Sequence, residues 1–181
     1  MDKILDENQQ AFLLRAARTV IESRLRTGKW AAVDSDDPVL KEKRGAFVTL
    51  HVHGQLRGCI GYPLPIKPLL ETIVEMAIAA SSQDTRFQPV GLDELEMMTV
   101  EISVLSLPRK VEDVSEVEVG RHGIIISKGG HRGLLLPQVP GEWNWDRETY
   151  LSHGCLKAGL PEDEWKKGAA IEVFTAQVFS E

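Results

Sequence analysis

Apolar residues recur at helical spacing near the start of the chain and predict an amphipathic helix. Its buried stripe is formed by Phe12, Leu13, Ala16, Ala17, Val20, Ile21 and Leu25. Asp6 is placed to cap this helix, and Gln9 three residues later completes the pattern of a capping box. Gly28 follows the last apolar position and predicts the end of the helix.

An alternating pattern follows and predicts a β-hairpin over residues 45–61, GAFVTLHVHGQLRGCIG. Both halves are rich in β-forming residues, and Gly54 marks the turn. A two-residue turn would place Val48 on the same face as Cys59. An odd loop with Gly54 in a left-handed conformation sorts apolar from polar side chains, so we expect that register. It puts Val48, Leu50, Leu56 and Ile60 on one face, and Thr49, His51, Arg57 and Cys59 on the other.

Helix and strand patterns then alternate along the chain. Residues 63–82 predict a helix that starts at Pro65 or Pro68, and residues 97–108 predict a strand that turns Glu101 to its polar face. The stretch GIIISKGGHRGLLLP, from Gly123, repeats the order of the first hairpin, including its arginine–glycine pair. A helix capped at Asp146 follows it. This repeated order of elements predicts an internal duplication of a hairpin-plus-helix unit.

The two hairpins favour an α+β fold with a largely antiparallel sheet covered by helices. No Gly/Ser linker divides the halves, so we expect them to share one sheet. At 181 residues the chain suits one large domain or two small ones, and it can fold without a metal or a disulfide.

Charge and composition exclude several classes of protein. The net charge of −6 disfavours a nucleic-acid-binding protein, which needs a basic face. No stretch approaches the ~20 apolar residues of a membrane span, and the start MDKILDENQQ lacks the apolar core of a signal peptide. The two cysteines, Cys59 and Cys155, indicate free thiols in a reducing cytoplasm, with one disulfide as the alternative.

Cys59 is a candidate nucleophile. A reactive thiolate needs a positive field or a nearby base, and Arg57 on the same face and His51 across the hairpin are placed to supply them. The alternative is that Cys59 is a small buried core residue, as free cysteines usually are.

Arg57 is a candidate anion-binding residue. Its planar guanidinium offers a fork to a carboxylate or another anion, and Gly58 and Gly61 leave room beside it for a close approach. The alternative is a structural ion pair with Glu101 or Asp84.

A metal site is the third possibility. His51, His53 and Cys59 lie close together, and His153 with Cys155 gives a second pair of ligand types that suit zinc. The spacing matches no structural zinc module, so we expect neither a metal nor another cofactor.

The sequence resembles the AMMECR family, which is named for a chromosomal region involved in an inherited syndrome. The hallmark is LRGCIG at residues 56–61, preceded by GAFVTL at 45–50. Further matching stretches occur in the same order: AASSQDTRFQPV at 79–90, VEISVLS at 100–106, GLLLPQV at 133–139 and CLKAGL at 155–160. The resemblance covers nearly the whole chain. His51 and His53 lie outside the family pattern, which argues against a metal and against His51 as a base.

The resemblance implies a barrel-like sheet built from the duplicated unit, with helices packed outside. Residues 1–181 would then form a single domain with two intertwined repeats at about 40–110 and 115–181. It also implies where the functional residues lie. The carried-over site consists of Arg57 and Cys59 as catalytic residues, with Gly58, Gly61, Asp84, Arg86 and Glu101 as ligand-binding companions.

The resemblance implies partner proteins but does not identify a reaction. Related domains look like companions of a Memo-type protein and of a radical S-adenosylmethionine protein. Two hypotheses follow from it. In the first, the chain is an enzyme or enzyme subunit in which Arg57 holds an anionic group and Cys59 is a nucleophile or redox-active thiol. In the second, it is a non-catalytic interaction or adaptor domain whose motif face docks a protein or a small ligand.

Overall fold

The computed structural model describes residues 4–181, which form four α-helices and eight strands. The helices are α1 (Glu7–Thr27), α2 (Leu69–Ser82), α3 (Val139–Glu142) and α4 (Arg147–Lys157). The strands are β1 (Ala46–Val52), β2 (Gln55–Tyr62), β3 (Met98–Leu105), β4 (Arg109–Lys110), β5 (Gly123–Lys128), β6 (His131–Leu135), β7 (Ala170–Phe174) and β8 (Ala176–Ser180). Over this part of the chain, every helix lacks either the length or the apolar character needed to cross a membrane.

Helix α1 confirms the predicted capping pattern. The Asp6 carboxylate accepts a hydrogen bond from the Gln9 backbone N–H, and the Gln9 side chain accepts one from the Asp6 backbone N–H. At the other end Gly28 adopts a left-handed conformation with φ of 74°. The predicted stripe lies in the core, where the fully buried members are Leu13, Ala16, Ala17, Val20 and Ile21.

The described chain forms two compact units, residues 4–105 with 177–181 and residues 106–176. The first contains a sheet of order β2-β1-β3-β8, and the second a sheet of order β4-β7-β5-β6. The α+β class is thereby confirmed. The division into repeats at about 40–110 and 115–181 stays a prediction.

Two finer predictions about the sheet are wrong, because the halves do not share one sheet and neither sheet closes into a barrel. The reason lies in the short strands. Strand β4 follows β3 in the chain but pairs with β7, and β8 follows β7 but lies beside β3. Hairpin patterns specify only local pairs, so they do not indicate which sheet such a strand joins.

The first hairpin has the predicted pairing near Cys59 but not the predicted loop. Its turn is the two-residue His53-Gly54, with positive φ of 51° and 74° as in a type I′ turn. The extra residue lies instead in a β-bulge at Arg57. Beyond the bulge, Thr49 pairs with Cys59 and Val48 with Ile60, as the odd-loop register required.

The bulge also corrects the predicted position of Leu56. Leu56 pairs with His51 and is 41% exposed, so it is absent from the apolar face. A bulge places two residues opposite one partner, so Leu56 and Arg57 both lie opposite His51. The apolar face keeps Val48 and Leu50, which are fully buried.

The two hairpins share a connectivity. In each unit the hairpin leads through helical structure, α2 in the first and α3 with α4 in the second, to a strand that pairs antiparallel with the first strand of the hairpin, β3 with β1 and β7 with β5. Each hairpin also contains a glycine pressed against the end of its helix, Gly58 beneath Ala80 and Gly133 beneath Ala158. These likenesses are what a duplication would leave, and the common origin of the two segments stays a prediction.

Candidate functional site

The LRGCIG stretch lies in β2, an edge strand of the first sheet. Gly58 faces helix α2, where a Cβ atom would lie less than 3.0 Å from the backbone carbonyl oxygen of Ala80. On the other face, the Phe47 ring occupies the place that a Cβ atom of Gly61 would take. The space expected beside both glycines is thus filled by the protein's own atoms.

Asp84 and Arg86 hold the peptide groups on either side of the Cys59 α-carbon. The Cys59 N–H donates to Asp84 Oδ2 at 2.9 Å, and Arg86 Nη2 donates to the Cys59 carbonyl oxygen at 3.2 Å. The two side chains also pair with each other, with 2.7 Å between Arg86 Nη2 and Asp84 Oδ2. Since β2 has a neighbouring strand on only one side, this pair satisfies the outer edge of the strand at Cys59.

Arg57 makes an ion pair with Glu94, a partner that the sequence did not suggest. Its Nε and Nη2 donate to the two oxygens of Glu94 at 2.7 and 2.9 Å. Its Nη1 and Nη2 also donate to the carbonyl oxygens of Gln88 and Pro89. The Arg57 bond is the main cause that lowers the pKa of Glu94. Arg57 therefore ties residues 88–94 to the edge strand, and its expected partners Glu101 and Asp84 do not contact it in this way.

Cys59, Thr49 and Glu101 form a row across β2, β1 and β3. Thr49 is the register partner of both others, and directly paired residues project from the same face of a sheet. The Thr49 hydroxyl donates to the Cys59 sulfur at 3.1 Å. All three side chains are half-buried, and the opposite face packs into the apolar core. We call the side that carries Phe47, Thr49, His51, Cys59, Glu101 and Ser103 the polar face.

The other metal or thiol candidates lie in different settings. Cys155 is fully buried, and burial raises the pKa of its thiol. His153 stacks on Trp145 with ring centroids 3.8 Å apart. Within residues 4–181, no three His, Cys, Asp or Glu side chains are grouped so as to hold a metal ion. Both cysteines are free.

The sequence-predicted residues thus separate into two sets. Cys59 and Glu101 lie on the polar face, whereas Asp84 and Arg86 bond to the Cys59 backbone at the strand edge and Arg57 bonds to residues 88–94. The sequence pattern placed Thr49 on the correct face of the hairpin but gave it no role. Its alternation with His51 was the pattern that could have pointed to it. Glu94 could not be identified as the partner of Arg57 from the sequence, because the two residues are far apart in the chain and only the fold brings them together.

The buried Asp84 carboxylate predicts a pH dependence of stability. Its hydrogen bonds to Arg86, followed by that to the Cys59 N–H, hold the pKa of Asp84 well below its usual value of 3.8. A depressed folded-state pKa gives stability that is complete above the unfolded pKa and is lost as pH falls through the folded one. We expect the wild-type free energy of unfolding to fall more steeply below about pH 4 than that of Asp84→Asn.

Urea unfolding at a series of pH values measures this difference. The matched control is Asp36→Asn, because the Asp36 carboxylate is fully exposed in its pair with Lys41. It should keep the wild-type slope. An Asp84→Asn slope equal to that of the wild type would show that the Asp84 contacts do not stabilise the fold.

Comparison with known proteins shows which family the chain resembles. A family model described as AMMECR1 matches residues 14–179. The chain is similar to protein MJ0810 of Methanocaldococcus jannaschii, with 47% identity over 99% of this chain and 93% of that protein. It is also similar to protein MK0488 of Methanopyrus kandleri, with 48% identity over 100% and 92%.

A solved structure shares the fold. The crystal structure of the uncharacterized protein PH0010 from Pyrococcus horikoshii has a TM-score of 0.80 and 44% sequence identity to this chain. The match covers 98% of this chain and 94% of that one. The names of these three relatives state no reaction.

Proposed function

The chain belongs to the AMMECR1 family, and we propose that it is an enzyme or enzyme subunit with a small-ligand site on the polar face around Cys59. The single observation that carries this proposal is the row of Cys59, Thr49 and Glu101 across three neighbouring strands. A thiol, a hydroxyl and a carboxylate lie side by side on three neighbouring strands and are half-buried on the face opposite the apolar core. Such a row has no role in the apolar core, which lies on the other face.

Cys59 is the reacting group in this proposal. The Thr49 hydroxyl donates a hydrogen bond to its sulfur and holds the side chain on the polar face. Cys59 serves as a nucleophile or as a redox-active group. Glu101 at the far end of the row is placed to bind a polar or cationic group of the ligand.

Arg57 takes a different part from the one expected at first. With Glu94 and two carbonyl oxygens as acceptors, its guanidinium has little capacity left for an anion. We assign Arg57 to the support of residues 88–94. The ligand-binding roles of Gly58 and Gly61 likewise become packing roles, since Ala80 and Phe47 fill the space beside them.

The partners implied by the family resemblance remain part of the proposal. A Memo-type protein and a radical S-adenosylmethionine protein would then supply or consume the small molecule held at the polar face. The second candidate, an adaptor domain without catalysis, is supported by exposed apolar side chains beside the Arg57–Glu94 pair. Leu56 is 41% exposed and Leu92 is 51% exposed.

Selective labelling separates the two candidates. We expect iodoacetamide to modify Cys59 in the native protein, since the Cys59 side chain reaches the polar face, while Cys155 reacts only after unfolding. Peptide mass spectrometry after timed labelling measures both rates. The wild type, purified without denaturation, should also carry a small molecule or covalent adduct that is absent from Cys59→Ser.

Two controls keep this experiment interpretable. Thr49→Val removes the hydroxyl donor but keeps a β-branched side chain, and it should slow the labelling of Cys59. Cys155→Ser should leave the labelling of Cys59 unchanged. Two results together would favour the adaptor function. Wild type and Cys59→Ser would co-purify with the same partner proteins and with no small molecule, and Cys59 would be labelled no faster than Cys155.

A further inference from the structure

We propose that the ion pair of Asp84 and Arg86 controls the reactivity of Cys59, by fixing its backbone and by balancing the charge beside its thiol. This inference rests on the proposed function, because it concerns the same thiol. It makes Asp84 and Arg86 positioning residues rather than the ligand-binding residues that the sequence suggested.

The backbone contacts are the first support. Asp84 accepts the N–H of Cys59 and Arg86 donates to its carbonyl oxygen, so both outward-facing polar atoms of this residue are held by one ion pair. Arg86 also donates to Asp84 through Nε at 3.0 Å and through its backbone N–H at 3.1 Å. A residue held at both polar atoms has little freedom to twist, and the direction of its side chain is fixed with it.

The burial of the pair is the second support. The Asp84 residue is only 5% exposed, whereas the Arg86 side chain is 56% exposed. The Arg86 bonds keep Asp84 ionised at neutral pH, because they lower the pKa of that carboxyl group. An ionised carboxylate and a guanidinium therefore lie together beside Cys59 at the outer edge of β2.

The two members of the pair act on the sulfur in opposite directions. Arg86, which donates to the carbonyl oxygen of Cys59, attracts the negative charge that develops on the sulfur when it reacts. Asp84 acts in the opposite direction, since a carboxylate repels a thiolate.

Other charged or titratable groups near this thiol belong to neighbouring strands. Glu101 on β3 and His51 on β1 lie on the same polar face, and Arg57 on β2 is neutralised by Glu94. None of these groups bonds to the Cys59 backbone. Changes at Asp84 and Arg86 therefore alter the local charge while Glu101, His51 and Arg57 stay constant.

Two neutralising substitutions should have opposite effects on the thiol. Asp84→Asn leaves Arg86 unpaired and favours the thiolate, whereas Arg86→Gln leaves Asp84 unpaired and disfavours it. We expect iodoacetamide to label Cys59 about three- to tenfold faster in the first variant and slower by a similar factor in the second. The double variant Asp84→Asn with Arg86→Gln should return towards the wild-type rate.

The rates are measured by mass spectrometry of the Cys59 peptide at about pH 7, where an ordinary thiol is mostly protonated. The thiolate sulfur displaces iodide from iodoacetamide, and the thiol proton passes to solvent. Glu118→Gln and Arg121→Gln are matched controls, because the side chains of this exposed ion pair bond to each other and not to Cys59, Asp84 or Arg86. Both should leave the rate unchanged.

The opposite signs distinguish charge control from simple loosening. If the pair serves only as a structural brace, both single variants should expose the thiol and react faster, and the double variant should react fastest. That result, or unchanged rates in both single variants, would overturn the inference. Should Asp84→Asn fail to fold, Arg86→Gln alone decides, since a rate equal to or above wild type contradicts charge control. The outcome is independent of whether Cys59 has a natural ligand, so the proposed function is tested separately.

Discussion

Replacement of Gly58 by alanine is expected to lower the free energy of unfolding by about 3 kcal/mol. The added Cβ atom would lie less than 3.0 Å from the backbone carbonyl of Ala80, in the last part of helix α2. A backbone atom cannot rotate away as the end of a flexible side chain can. Either α2 shifts away from β2 or the strand bends, and both responses disturb packing in the core of the first unit.

Urea unfolding of Gly58→Ala measures this loss. Gly141→Ala is the matched control, because nothing lies within 4 Å of a Cβ atom at that position. We expect the control to change stability by less than about 0.5 kcal/mol. Gly133→Ala should resemble Gly58→Ala, since the backbone of Ala158 lies equally close there. A Gly58→Ala protein as stable as the control would mean that α2 does not press on the strand at this glycine.

Local patterns predicted the elements of this fold well because their causes are local. The capping box of Asp6 and Gln9 and the left-handed Gly28 depend on residues a few positions apart. The strand faces near Cys59 followed from the alternation of apolar and polar residues. The bulge at Arg57 was missed because a bulge and an odd loop shift the register by the same single residue.

The candidate site was only partly predictable for a related reason. Sequence reasoning named Arg57, Cys59, Asp84 and Arg86, but it could not give their partners, which depend on how the chain returns to the edge of the sheet. Asp84 meets the backbone of Cys59 rather than the side chain of Arg57. The glycines were expected to make room for a ligand. A glycine that makes room for a helix or an aromatic ring gives the same sequence pattern.

Removal of the Arg57 side chain is the second change expected to have a large effect. Arg57 and Glu94 are only 19% and 23% exposed, and Arg57→Ala leaves the carboxylate and two carbonyl oxygens without their donor. We expect a loss of about 2–4 kcal/mol in the free energy of unfolding, somewhat below the cost of breaking a fully buried pair. Arg57→Lys should recover less than half of it, because an ammonium group cannot reproduce the planar fork.

A double-mutant cycle with Glu94→Gln tests the assignment of this partner. The coupling free energy between positions 57 and 94 should exceed about 1 kcal/mol if the bidentate pair is formed. Arg121→Ala is the matched control, since its exposed pair with Glu118 should contribute less than about 1 kcal/mol.

The same Arg57 variants also separate a structural role from ligand binding. A structural Arg57 costs stability in both variants, while the small molecule retained per folded protein stays close to that of the wild type. If instead Arg57→Lys keeps the wild-type stability and loses the retained molecule, Arg57 is the anion-binding residue that the sequence first suggested. Its contact with Glu94 would then describe only the ligand-free state.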